Sequence, residues 1–484
     1  MILSLATLAT AGEFMDVWVT TAFEDGNVLA GPSGDSPSPN FVERGNSTFF
    51  ENYERRYTDD ITQSWLALYR KDEGFHPRIF TEAAFVLRFN PWLDPDDSDP
   101  GIDIADDGSY VRVGYKLGED EDHAISLTGY AVDANRFRLG YSYDLTWGGR
   151  NIYVGDPSAA PGARLQYQNG ETYAFAGLKT AVFDYDDPES DETGLEEAYY
   201  GGLVGAGAQL GERVRVEAGA GSFQQGQLVA PNVNSAINLD PINAIGGCAQ
   251  IAFRTNPELD WITSGELRLV RNEPDQVKET YISHRELDGV GVLVQAEWNV
   301  LAHNLIDFEE VDSTVVEKAM AGDVQALLVA GTTEVAVDFV YKDLNYIVFN
   351  VPGLTSGYAT PESVTPTPQI YVRGQLSHYF PEAHLTPSIG AGWMRAATYG
   401  SGDSYIIVQD EANRYHVPDG QLPTALLSSV AGVQWDISRS TIAVGEVLYT
   451  LNNNESVSGD EGYVLAPDNE RNQLGFNLFV RSRF

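Results

Sequence analysis

The last fourteen residues of the chain, Arg471-Asn-Gln-Leu-Gly-Phe-Asn-Leu-Phe-Val-Arg-Ser-Arg-Phe484, alternate between two kinds of side chain. In an extended strand, one face would carry apolar residues from Leu474 to Phe484, with Ser482 as the exception. The other face would be mostly polar and would run from Gln473 to Arg483. Because successive side chains of a strand point to opposite sides, the segment predicts a strand whose apolar face meets either a core or lipid.

The same alternation recurs along the chain and is cleanest from Arg136 to Gly148. Its length of about eleven residues is what a strand tilted near 45° needs to cross the hydrocarbon layer, whereas strands of soluble sandwiches are about half as long. Candidate strands occupy 15–24, 61–72, 78–90, 109–117, 123–132, 136–147, 163–184, 198–210, 213–224, 243–255, 260–272, 289–300, 334–351, 367–379, 385–398, 423–437, 441–452 and 471–484. The pattern predicts an all-β fold, a single antiparallel transmembrane barrel of about eighteen strands, within a range of roughly sixteen to twenty.

The connections between these strands alternate between short turns and long polar loops, as expected for a barrel with one short-turn end and one long-loop end. Two segments fit poorly: 148–162 is long where a turn is expected, and 301–333 contains Asp312–Gly322, which reads as a short capped helix. We therefore predict an inward-folded segment within 301–333 or 148–162. A cluster of glycines on neighbouring strands is its expected contact surface: Gly201, Gly202, Gly205, Gly207, Gly219 and Gly221.

Composition excludes several classes of protein. The 484 residues carry a net charge of −40, which argues against binding nucleic acid through a basic face. The chain has no apolar run long enough for a spanning helix, and its mean hydropathy of −0.23 also suits a barrel in which every second strand residue meets lipid. The single cysteine, Cys248, excludes an internal disulfide, and we expect an inert thiol.

In its closing strand, the chain resembles the outer-membrane β-barrel proteins of Gram-negative bacteria. The resemblance implies an assembly signal read by the barrel assembly machinery, formed by Gln473, Gly475, Leu478, Val480 and Phe484. Ser482 departs from this pattern, because an aromatic or apolar residue is usual there.

The resemblance extends to the N-terminus, where residues 1–12 are similar to the back half of a secretory signal with Ala9-Thr-Ala11 as the cleavage site. Residues 13–484 would then form the barrel, located in the outer membrane with both termini on the periplasmic side. The expected partners are outer-membrane lipid, lipopolysaccharide and the assembly machinery, with a homo-oligomer left open.

If the apolar faces meet lipid, the opposite faces line a lumen, and they carry many charges. A dry core could not hold so many ionised groups, whereas a water-filled channel can. The predicted pore-lining residues are Arg136, Arg138, Asp144, Arg164, Arg213, Arg215, Glu217, Glu266, Arg268, Glu297, Asp338, Arg373, Asp436, Arg481 and Arg483. The sequence therefore favours a porin-like channel for passive diffusion of small hydrophilic solutes, without a cofactor.

Other functions remain open at this stage. A structural or adhesive barrel would have a lumen blocked by side chains, and an outer-membrane hydrolase would show a catalytic set at its rim. The seven histidines follow no metal or nucleophile motif, although His378 beside Ser377, or His416 near Asp410, could be imagined at a rim. The acidic runs at 94–99, 118–122 and 184–192 lack the spacing of a calcium loop, and we read them as solvated loops.

Overall fold

The computed structural model describes residues 15–25, 27–29, 62–92, 101–106, 108–119, 122–132, 138–140, 145, 147–148, 161–185, 195–227, 241–261, 287–307, 310, 313–348, 365–401, 404–408, 414–418, 420–459 and 462–484. Two short helices are present in these parts of the chain, α1 (Leu344–Val348) and α2 (Asp468–Arg471). No helix within these ranges is both long enough and apolar enough to span a membrane.

Everything else that is regular is β-structure. The strands are β1 (Asp16–Asp25), β2 (Thr62–Glu73), β3 (Ile79–Trp92), β4 (Gly101–Asp106), β5 (Tyr110–Lys116), β6 (His123–Tyr130), β7 (Arg138–Leu139), β8 (Trp147–Gly148), β9 (Gly162–Asn169), β10 (Thr172–Tyr185), β11 (Leu195–Leu210), β12 (Val214–Gln227), β13 (Pro241–Arg254), β14 (Leu287–Ile306), β15 (Thr314–Gly331), β16 (Thr333–Lys342), β17 (Thr365–Thr367), β18 (Gln369–His378), β19 (Leu385–Arg395), β20 (Ala397–Ser401), β21 (Ser404–Val408), β22 (Arg414–His416), β23 (Leu426–Ser438), β24 (Thr441–Leu451), β25 (Ser456–Gly459), β26 (Gly462–Leu465) and β27 (Asn472–Arg483).

One closed antiparallel sheet forms the wall. It contains nineteen strands, of which β4 and β5 both pair with β3 and form one interrupted stave, so the barrel has eighteen staves. The ring closes where β27 pairs with β1, from Trp18 opposite Arg483 to Asp25 opposite Phe476. The predicted fold class, the number of strands and the pairing of the terminal strand with the first strand are confirmed.

Alternation within the strands gives the wall two faces. In β5, Tyr110, Arg112 and Lys116 are buried inside the barrel, whereas Val111 and Val113 are exposed on the outside. The same division of polar interior from apolar exterior runs around the ring, which is the reverse of a soluble protein.

Several predicted strands were wrong although their total was right. The segment 136–147 supplies no stave within its described residues: 138–139 and 147–148 are extended and pair with each other, and not with the wall. Conversely, 163–184 forms two staves, β9 and β10, joined by a turn at Gly170. The candidate at 260–272 lies mostly outside the described residues, and β13 and β14 on either side of it pair directly.

The predicted helix at 312–322 and the inward segment at 301–333 are corrected by the structure. Residues up to Ile306 continue β14, and 314–331 form β15, so both belong to the wall. Residues 314–322 form part of a strand because the eighteen paired positions between β15 and β14 stabilise it more than the local sequence favours a helix. The signal-like segment at 1–12 lies outside the described residues.

Short turns and long loops segregate to opposite ends of the barrel, with one exception at each end. The connection 255–286 is long although it lies at the short-turn end, and 307–313 is short at the long-loop end. The long-loop end also carries a sheet of β17, β20, β21 and β22, a hairpin of β25 and β26, and α1. Leu344, Ile347, Ala397 and Val408 pack there as a buried cluster.

Tryptophans near the strand ends are divided between the outer face, where aromatic side chains meet the membrane interface, and the interior. Trp393 and Trp435 lie near strand ends and are exposed on the outer face. Trp18 and Trp65 instead face inward, and Trp65 is buried beside Phe479. Of these four tryptophans, two therefore face the interior and two face the membrane interface.

Candidate functional site: the barrel interior

The structure brings most of the described lumen candidates to the inner face of the wall. These are Arg164, Arg215, Glu217, Glu297, Asp338, Arg373, Asp436, Arg481 and Arg483. Arg213 is an exception, because it lies in the turn between β11 and β12 and is exposed rather than directed inward. Arg136, Asp144, Glu266 and Arg268 lie outside the described residues, and only the backbone of Arg138 is described.

Basic side chains dominate the inner face from β3 to β10. Arg112 bonds to Glu82 (3.3 Å) and donates from Nε to the Thr128 hydroxyl (3.2 Å). The neighbouring inward cations are Arg164, whose guanidinium lies 5.9 Å from the Phe175 ring, and Lys179. All are buried inside the wall, where a charged group is stable only with partners or water.

Acidic side chains dominate the inner face from β12 to β16. The middle stave of this group, β14, lies six staves from β6, the middle stave of the basic group, which is a third of the eighteen-stave ring. Glu217 accepts a hydrogen bond from Gln250. Glu297 accepts one from the Asn299 amide (2.7 Å), and the Cys248 thiol lies 3.6 Å away. With Asp323, Glu334 and Asp338 on the next two staves, these residues form an acidic wall that is separate from the basic staves. The separation of sign produces a transverse field inside the barrel.

From β18 onward, the inner face carries both basic and acidic side chains, and Arg373 is the first basic one. Its Nε donates to Asp338 Oδ2 (2.8 Å), and both side chains are only 5% and 3% exposed. At the short-turn end, Arg483 donates to Asp16 (2.8 Å), so the terminal cation links the last strand to the first. Arg481 lies one inward position further up the same strand, 5.3 Å from the Phe479 ring.

The loop between β6 and β9 carries an inward-folded segment, 138–148. Leu139 packs on Gly219, where an added Cβ would meet its side chain at 2.5 Å. Gly140 adopts φ of +89° and lies so close to Glu297 that a Cβ would meet its carboxylate at 2.0 Å. Farther along, the Leu145 carbonyl accepts hydrogen bonds from Asn299 (3.2 Å) and from the Tyr346 hydroxyl. The segment is thus anchored inside the barrel against the acidic wall.

The glycine cluster has a mixed explanation. Gly219 is contacted by the inward segment through Leu139. The constriction was predicted from other residues: 148–162 lies mostly outside the described residues, and 301–333 belongs to the wall. Gly201, Gly205 and Gly207 instead lie under inward aromatic side chains of neighbouring strands, because Phe223, Phe175 and Tyr173 occupy the space of the missing Cβ atoms. The contact surface is therefore partly made by the wall itself.

A second insertion starts at the short-turn end. After β13, an Asx turn at Asn256 (Oδ1 to Glu258 N, 2.9 Å) redirects the chain, so that Leu259 and Trp261 become buried. Trp261 lies between two guanidinium groups, 5.1 Å from Arg215 and 4.4 Å from Arg254.

This mouth cluster extends over several staves. The Trp261 indole donates to Gln209 of β11 (3.0 Å). Leu259 and Trp261 share a buried cluster with inward residues as far as Ala336 of β16. Six consecutive staves of the eighteen therefore meet the inserted residues, about a third of the mouth.

Sequence reasoning missed several inward side chains, among them Glu82, Arg112, Lys179, Asp323 and Glu446. Glu82 and Arg112 could have been found, because they share the inward parity of candidate strands at 78–90 and 109–117. Asp323 was missed because 301–333 was interpreted as an inward-folded segment and not as part of the wall. Trp261 had no sequence signal, since its burial depends on a turn that redirects the chain.

The residues imagined as a catalytic rim do not make catalytic contacts with each other in the described structure. His378 shares a hydrogen bond with Thr333 (2.8 Å), and His416 stacks on Tyr463 with ring centroids 4.0 Å apart. Asp410 lies outside the described residues. Within the described ranges, no group of three or more His, Cys, Asp or Glu side chains is arranged to hold a metal ion.

The outer face decides the class of the protein. Leu127, Leu165, Val204 and Ile251 are among many large apolar side chains that remain about half exposed around the closed wall, while charged residues occupy the inside. Only a hydrocarbon environment stabilises such a surface. The chain is a transmembrane β-barrel. In this barrel, Phe484 exchanges two backbone hydrogen bonds with Val17 (2.8 and 3.3 Å) and completes the wall.

No protein-family model and no curated protein matches the chain. Among solved structures, the barrel is similar to OpdK of Pseudomonas aeruginosa (6% identity, TM-score 0.46, 97% of this chain and 98% of that chain). It is also similar to Wzi of Escherichia coli, described as a carbohydrate-binding β-barrel (11%, TM-score 0.41, 99% and 87%), and to OmpT of Vibrio cholerae (10%, TM-score 0.36, 97% and 96%). All three are described as outer-membrane proteins or barrels, and likeness at this level extends to the fold alone.

Proposed function

We propose that the barrel is a passive channel for small hydrophilic solutes. The observation that carries the proposal is the charged interior, with basic residues on β3–β10 and acidic residues on β12–β16. A lumen without water would leave these ions at a cost of several kcal/mol each, so their number favours a hydrated interior. Separate rows of opposite charge orient dipolar solutes and exclude apolar ones.

The inserted segments would set the size limit of such a channel. The segment 138–148 touches Glu297 of β14, and the mouth cluster touches Leu293 on the same strand. These two positions are four residues apart, or about 13 Å along the strand. The two insertions thus narrow the same side of the lumen from opposite ends.

A blocked barrel with a structural or adhesive role is the second candidate. It is favoured by the burial of inward side chains such as Gln295, Glu297 and Asn299, which are at most 2% exposed. On this alternative the insertions would seal the lumen instead of narrowing it.

Reconstitution into planar bilayers separates the two candidates. A passive channel should give stepwise, ohmic conductance from refolded, heat-modifiable protein. Silence from protein that is demonstrably folded would overturn the channel and favour the blocked barrel. Liposome swelling with neutral sugars of increasing mass would then give the size limit.

A further inference from the structure

One part of the inner wall differs from the rest in its contact with solvent. Gln375, Ser388, Gly390, Gly432, Gln434 and Glu446 all face inward on β18, β19, β23 and β24, and all are partly exposed. We refer to these six residues as the open patch. On the remaining staves, most of the described inward side chains away from the strand ends, glycines apart, are buried, and Arg88 of β3 is a partly exposed exception.

The open patch is continuous across the staves. Ser388 is registered with Gly432, and Gly432 with Glu446. A row above it joins Gln375 to Gly390. The side chains are small or absent at the centre of this surface: a Cβ added at Gly432 would lie 3.1 Å from Glu446 and 3.2 Å from the Ser388 hydroxyl. The wall is therefore set back where these strands meet.

The adjoining staves, β11 to β16, are contacted by the segment 138–148 and by the mouth cluster. Neither insertion has a described contact with the open patch. Solvent therefore reaches the inner wall on the side that the insertions leave clear.

Within the open patch, Glu446 is the one ionisable side chain. Its Oε2 accepts a hydrogen bond from the Asn477 amide (3.0 Å), which fixes the carboxylate at the surface of the patch. The other members offer hydroxyl, amide and backbone groups. A carboxylate among small neutral groups attracts cations and repels anions, and the effect is strong inside a narrow low-dielectric wall.

We propose that solutes cross the barrel along the open patch and that Glu446 makes this path selective for small cations over anions. The proposal rests on the channel function argued above and names its route and its charge preference. Glu297, which Gly140 of the segment 138–148 covers, is then part of the support for that segment and does not line the path.

Thiol labelling tests the route. In a Cys248→Ser background, Ser388→Cys places a thiol on the open patch, and Ser126→Cys places a matched thiol on the inner face of β6, where Ser126 is 5% exposed. We expect a cationic thiosulfonate to modify Ser388→Cys at least about tenfold faster than Ser126→Cys, and about tenfold faster than an anionic reagent of the same size. Adding Glu446→Gln should remove the preference for the cationic reagent.

Conductance read on the same samples separates the two levels of the argument. Modification of Ser388→Cys that lowers the conductance of the barrel supports the route. If the unmodified barrel conducts but Ser388→Cys is inert, or reacts no faster than Ser126→Cys, the route is overturned and the channel function stands. If the folded barrel does not conduct, the channel function fails and the route fails with it. A charge preference that survives Glu446→Gln overturns the role of Glu446.

Discussion

The anchoring of the segment 138–148 depends on one backbone carbonyl. Asn299 and Tyr346 both donate to the Leu145 oxygen deep inside the barrel. Tyr346→Phe keeps the ring and removes one donor, which costs about 1 kcal/mol. Adding Asn299→Leu leaves the buried carbonyl without either donor, which adds roughly 1–3 kcal/mol. The double variant should therefore lose about 2–4 kcal/mol of anchoring, a roughly 30- to 700-fold rise in the released fraction.

Limited proteolysis of refolded protein measures that fraction at the anchored positions 138–140 and 145, because cleavage there requires release when opening and closing are fast. We expect the cleavage rate to rise in the order wild type, Tyr346→Phe, double variant, together with larger conductance fluctuations. Tyr449→Phe is the control, since it removes a hydroxyl bond to Asn472 (2.7 Å) on an exposed site. A double variant cleaved within twofold of wild type would refute the anchoring argument.

Three further predictions concern other parts of the barrel. Burial and the nearby acidic loop raise the pKa of Glu455 to about 7, although its hydrogen bond with Gln473 opposes the shift. The folded loop therefore favours the protonated acid. The stability of the folded loop should be greatest below the ordinary pKa of a glutamic acid and should fall by up to roughly 3 kcal/mol as the pH rises through 7. Hydrogen exchange in 452–471 at pH 5 and pH 8 checks this, and equal protection at both values, or an unchanged difference in Glu455→Gln, would contradict it. Trp261→Ala removes a buried indole, so it should lower local stability by about 3–5 kcal/mol and raise conductance. An unaltered conductance and melting temperature would show that the mouth cluster neither narrows the lumen nor stabilises the barrel. Asp338→Asn should destabilise the barrel by about 3–5 kcal/mol in urea, because it leaves the Arg373 charge buried without its partner. The double variant Asp338→Asn, Arg373→Met should recover much of this loss. Purely additive effects of the two substitutions would count against an interaction between the two side chains.

Much of the barrel could be predicted because the alternation of faces is a local property. The closing strand, its pairing with β1 and the inward position of residues such as Arg164 and Glu297 all follow from period two. The same local property explains the error at 136–147. Leu139 and Leu145 do lie on a buried apolar face, but that face packs against the inner wall and not against lipid. An alternating pattern predicts an apolar face, but it does not specify whether that face packs against protein or against lipid.

The error at 312–322 has the opposite origin. Ala319 and Ala321 favour a helix locally, yet they are inward residues of β15, where α1 packs against the strand. Small side chains are required there because the interior is already occupied. The burial of Trp261 could not be predicted from the sequence either, because it depends on contacts with residues of six staves. Contacts between distant segments, which sequence patterns do not contain, decided both cases.

Closure through β1 and β27 has a consequence for folding. The ion pair between Asp16 and Arg483 joins residues 467 positions apart, so the first strand can find its partner only after the whole chain has been synthesised. Until then, the growing sheet has two unpaired edges whose backbone groups can recruit any other strand. Contacts of such long range also make spontaneous folding slow. The sheet therefore keeps two unpaired edges until residues 476–483 pair with β1 and close the ring.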